Sequence, residues 1–156
     1  MVSHIQFKQG TVLPPPNPTE IAAFEEWLRK TRSQNIVFGQ DYLEFVKANH
    51  GGIPVDNRFI TSTGKERMIV RFLNFVDSDH PLSQYSVEGT WGLISDRVGK
   101  HLVPFAELFA GDMLCFDFSE SRNPQVVVWL HEMSEPQSPV VDYVAPSFEE
   151  FIKMVY

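Results

Sequence analysis

His131 and Glu132 follow directly on the apolar run 126–130, and Asp117 lies inside another, 113–118. Catalytic groups often sit at strand ends, and this trio would suit general acid–base work if its pKa values were matched. Neither a Gly-x-Ser-x-Gly elbow nor a reactive-cysteine signature accompanies it, so a small hydrolase is the weakest of the readings kept open. The segment Asp77-Ser78-Asp79-His80 offers hard oxygen ligands, but it lacks the ligand series and glycine of a calcium loop. Asp and Ser ahead of a helix also serve as caps. The five histidines include no pair at helical metal spacing, and the lone Cys115 forms no Cys–His cluster. Gly89 and Gly92 do not belong to a dinucleotide fingerprint. No catalytic residue, metal ligand or cofactor is therefore assigned.

Charge points to binding instead. Residues 1–100 hold eleven basic and eleven acidic side chains, whereas 101–156 hold only Arg122 and Lys153 against nine acids. The whole net charge of −7 thus falls in the last third. Such a field repels nucleic acid, whose binding needs Lys and Arg against phosphates. It attracts a basic partner and speeds its encounter, although an ordinary solubilising surface would look the same. Asp112, Asp117, Glu120, Glu132, Glu135 and Asp142 lie in or beside the expected hairpin connections and are the candidate contacts. Trp91, flanked by Thr90 and Gly92, is the candidate exposed aromatic, because Trp129 sits inside an apolar strand.

The elements that must carry these residues are legible as periods. Asn17 reads as an N-cap, with Pro18 at the first helical position and Glu20 completing a capping box. The helix over 18–32 places Ile21, Phe24, Trp27 and Leu28 on one buried stripe. A second helix over 40–49 carries Tyr42, Phe45 and Val46 at i, i+3, i+4. Gly51 or Gly52 closes it, and Pro54 prevents its continuation. Residues 59–62 and 67–76 form a hairpin around Thr63-Gly64-Lys65, the longer strand apolar on both faces. A helix over 87–98 is weakened by its two glycines. Strands follow at 102–106, 113–118 and 125–130, with an edge strand at 140–144. Ser147 and Glu150 cap a last helix that buries Phe148, Phe151, Ile152 and Val155. The expected architecture is α+β: a mainly antiparallel sheet, with two N-terminal helices and one C-terminal helix packed on it. Short connections between 102 and 130 favour a meander.

One ordered series runs through this pattern. Asp41-Tyr42-Leu43-Glu44-Phe45 ends in the turn Asn49-His50-Gly51-Gly52. Pro104-Phe105-Ala106 and the turn Gly111-Asp112 follow, then Val126-Val127-Val128-Trp129 and Ser147-Phe148-Glu149-Glu150-Phe151. Each piece is ordinary cap or hairpin grammar; the order resembles the SUKH superfamily, which includes a yeast cell-wall-synthesis regulator and many bacterial immunity proteins. His50 and the stretch 87–99 depart from that pattern. The resemblance covers about 20–155 and implies a non-enzymatic inhibitor that binds a cognate toxin domain, such as a nuclease with a basic groove. A regulatory or scaffolding module of the same fold is the alternative.

Length and composition agree. A chain of 156 residues fits a single domain, 1–156, with 1–17 as an extended lead-in. Thirteen phenylalanines and 43% hydrophobic residues argue against disorder. No apolar run reaches the ~20 residues of a membrane span. Residues 1–10 lack a secretory pattern, and a single cysteine suits a reducing compartment, so a cytoplasmic location without membrane association is expected.

Overall fold

In the computed structural model, which describes residues 4–156, the alternating segments become neighbouring strands of one sheet. The first residues of the lead-in, 1–3, lie outside the described ones. The described helices are α1 (Pro18–Thr31), α2 (Gln40–Asn49), α3 (Val87–Val98) and α4 (Phe148–Met154). The strands are β1 (Arg58–Ile60), β2 (Glu66–Phe72), β3 (Leu102–Leu108), β4 (Met113–Asp117), β5 (Gln125–Trp129) and β6 (Val141–Ala145).

All six strands pair antiparallel in chain order, as a meander. The sheet curls until its two ends meet. Ser62 N–H, at the tip of the β1–β2 hairpin, donates to the Tyr143 carbonyl of β6 at 2.9 Å. Tyr156 exchanges both backbone hydrogen bonds with Arg58, covering the outer edge of β1.

The period of two decides which residues are inside. Leu114 and Phe116 of β4, with Val126 and Val128 of β5, face a large core built with α1, α2 and α4. Tyr42 is its hub, its ring 4.8 Å from Phe116 and 5.2 Å from Phe148. Cys115, Val127 and Trp129 face the other way, into a smaller core with Leu102 and Val98. Helix α3 bridges the two, with Val87 and Trp91 in the first and Val98 in the second.

The α+β class and the antiparallel sheet are as expected, with four helices rather than three because α3 packs beside β3. Its start is secured by Ser86, whose Oγ accepts the Gly89 N–H at 2.9 Å. Three other expectations are corrected. Strand β2 ends at Phe72, because Asn74 is buried and spends its backbone on Tyr85 and Val87 instead of on a ladder. A register shift between Ile69 and Arg71 then turns both Ile69 and Phe72 inward, in place of strict alternation. In α1, Trp27 is 45% exposed and does not belong to the buried stripe.

Candidate functional site

The structure separates the sequence-predicted contacts into inward- and outward-facing groups. Asp112 faces inward from the β3–β4 turn. Its Oδ1 accepts from His131 Nδ1 at 2.6 Å and from the His131 N–H at 2.9 Å, while Oδ2 accepts from Arg67 at 2.7 Å. Burial alone would raise its pKa; the His131 and Arg67 interactions outweigh that and hold the carboxyl below its usual range. Asp142 is also buried, accepting from Ser62 Oγ at 3.1 Å and Thr63 Oγ1 at 2.7 Å. Burial opposes its ionisation too, and is outweighed by hydrogen bonds from the threonine and serine hydroxyls, which lower its pKa.

Trp91 is likewise internal, contrary to the exposed position expected for it, at 6% exposure. Its ring meets Trp27 edge-on at 5.2 Å and lies under the Arg32 guanidinium at 4.8 Å. The exposed aromatic of this pair is Trp27.

Glu120, Glu132 and Glu135 are exposed, and Asp117 is half-buried, accepting from the Ser119 N–H at 2.9 Å. They do not form one patch. Met113 pairs with Trp129 at one end of β4, and Asp117 with Gln125 at the other. Glu132 and Glu135 follow the first end, whereas Asp117 and Glu120 mark the second. The same spacing divides the His131, Glu132 and Asp117 trio, roughly 13 Å of strand apart. His131 reaches Asp112 instead, and its Nε2 lies 3.9 Å from Glu132. That pairing orients an imidazole, but Arg67 and the backbone already engage the carboxylate. Cys115 is fully buried, and burial pushes its thiol up, away from reactivity.

A different set of carboxylates converges. Between α1, the segment 75–79 and the start of α3 lies an open cleft of about 910 Å³. Its floor is apolar, with Ile21, Phe24, Trp27, Phe75 and Val76, and its rim carries Glu20, Asp77, Asp79 and Glu88. Among the described residues, none of those lining it is Lys, Arg or His. The neighbouring Asp77 carboxyl raises the Glu20 pKa, first through hydrogen bonding and then through its charge, and burial and the charge of Glu88 add to the rise. Glu20 therefore faces Asp77, and α1 is capped by Asn17 Oδ1, which accepts from Thr19 N–H at 2.9 Å. Among the described residues no three His, Cys, Asp or Glu side chains are placed to hold a metal ion. A second cleft, of about 580 Å³, includes Asp117 but also Lys100 and His101, so its charge is mixed.

Comparison with known proteins decides the relationship. The model of a family described as "SMI1-KNR4 cell-wall", SUKH_6, matches residues 19–152. The chain belongs to this family. The SPbeta prophage-derived uncharacterized protein YokK of Bacillus subtilis (strain 168) is 31% identical over 75 residues, 48% of this chain. That stretch spans 35% of YokK, about a third of its length. No solved structure matches.

Part of this cleft in the SUKH_6 protein had a signal in the sequence. Asp77-Ser78-Asp79 stood out as a carboxylate cluster, and Glu20 and Glu88 are first-turn acids of two helices. Their convergence with Trp27 depends on how α1 packs beside α3, which no local pattern encodes. No helix among the described residues is long and apolar enough to cross a membrane.

Proposed function

We propose that this SUKH_6 protein is an immunity protein that neutralises a toxin domain by binding it directly, without chemistry of its own. The observation that carries this reading is the cleft, an apolar floor ringed by four carboxylates with no basic side chain among the described residues that line it. A toxin acting on nucleic acid needs a basic surface for its substrate. A protein presenting desolvatable apolar area inside a negative rim is suited to occupy such a surface. Family membership and the prophage-derived relative fit this role. The finer identity proposed for the partner is a nuclease-type domain with a basic surface. Glu120, Glu132 and Glu135 then contribute long-range attraction, and Asp112, Asp142 and Trp91 hold the scaffold.

The test is co-expression. A toxin domain encoded beside this gene is produced with and without the protein, and survival is scored together with co-purification of the pair. Protection with a stable one-to-one complex is the expected result. Protection without a complex would refute direct binding. Unchanged toxicity despite soluble co-expression would favour the regulatory or scaffolding alternative.

A further inference from the structure

We propose that the cleft between α1, segment 75–79 and the start of α3 is a docking groove for an arginine-bearing segment of a protein partner. On the toxin-binding reading, on which this rests, that segment belongs to the toxin domain. Four carboxylates alone would describe a solvated face. Here they rim an apolar floor whose principal element, Trp27, is 45% exposed in a chain whose other large ring nearby, Trp91, is buried. Acid around an exposed indole suits a guanidinium, which stacks on the ring and offers a planar fork to carboxylates. The same aromatic pair already supports one such contact, the Arg32 guanidinium over Trp91. Lysine, a compact and strongly hydrated charge, would gain less from the floor.

Competing occupants are weaker. The N-termini of α1 and α3 both border the cleft and favour anions, but each is equivalent to only about half a positive charge. Set against four carboxylates, the sum stays strongly negative. A metal ion would need converging ligands, and no three acidic or histidine side chains among the described residues are so placed. A second copy of this chain brings a net charge of −7 to an already negative groove. The volume, about 910 Å³, is at the upper end of small-ligand pockets and accommodates several side chains.

The probe is a short peptide with two arginines flanking leucine, titrated against the full chain by tryptophan fluorescence and by amide chemical shifts. A second peptide carries citrulline for arginine, and a third lysine. Asp79→Asn and Glu88→Gln are exposed substitutions that leave the core intact, which thermal melts verify. Expected are shifts confined to the cleft, and affinity about tenfold lower for the citrulline peptide and for the double variant. Equal binding of the citrulline peptide, or an unaffected double variant, overturns the proposal. Equal binding of the lysine peptide overturns the choice of arginine. The co-expressed toxin separates this from the broader reading. If the double variant loses the peptide but holds the toxin at wild-type affinity, the groove is not the toxin's dock and the proposal fails, while the immunity role stands. If the peptide binds but no toxin does, the groove stands and the immunity role fails.

Discussion

His50 is a residue whose environment explains why a histidine sits in a helix-ending turn. It is buried, and its Nε2 accepts the Phe75 N–H at 2.8 Å, so Nδ1 is the donor to the Pro14 carbonyl at 2.7 Å. One imidazole thus ties the lead-in to the segment after β2. Burial lowers its pKa, outweighing the Pro14 hydrogen bond, and the nearby His80 lowers it further. A depressed folded pKa means that the stability His50 contributes is complete above the free value of 6.5 and is lost as pH falls through the folded value. Asp112 has the same sign in a lower window, its contribution complete above 3.8 and lost below it. Urea titrations across pH should therefore show two successive losses. His50→Asn should abolish the first and lower stability by about 2 kcal/mol at pH 8, through the orphaned Phe75 and Pro14 groups. Asp112→Asn should lower it by about 3 kcal/mol at neutral pH and flatten the acid limb. A wild-type profile without a loss below 6.5 would show that burial does not lower the His50 pKa.

At the scale of elements, α3 shows what a sequence does and does not disclose. The sequence placed it over 87–98, and the structure closes it with Ser86 at its start and Gly99 at its end. The two internal glycines looked equivalent, and they are not. A Cβ on Gly89 would lie 2.8 Å from Ser86 Oγ and 2.9 Å from the Ser83 carbonyl oxygen, whereas one on Gly92 meets nothing within 4 Å. Gly92→Ala should raise stability by about 1 kcal/mol, the ordinary helix propensity gain. Gly89→Ala should lower it by about 1 kcal/mol or more, since it forces the cap apart. Thermal melts of the two variants read opposite signs, and equal signs would contradict the cap geometry. Strand and helix identities were legible for the same local reason, periodicity. The errors arose where long-range partners decide. Whether Trp27 or Trp91 is outside depends on how α1 packs beside α3. Asp142 finds Ser62 and Thr63 only because the sheet curls, and Asp112 finds His131 only because β4 pairs with β5.

For the whole molecule, the charge surplus and the binding groove are different things. The surplus lies in residues 101–156, with Glu120 at one end of the sheet and Glu132 and Glu135 at the other. The cleft draws its carboxylates from the balanced first hundred residues. Dispersed surface charge acts at a distance and is screened within about 10 Å at moderate salt. It governs how often a basic partner arrives. Groups that become desolvated in a groove govern how long the partner stays. With the proposed toxin domain in stopped flow, kon should fall about tenfold or more from low to high salt. Glu132→Gln with Glu135→Gln should reduce kon and its salt slope while leaving koff nearly unchanged. Asp79→Asn with Glu88→Gln should instead raise koff, because those carboxylates flank the apolar floor and lose water on docking. If the Glu132 and Glu135 pair controlled koff while the cleft pair did not, the contact surface would lie at the β5–β6 end of the sheet. Trp27 would then be an exposed indole with no role in holding the partner.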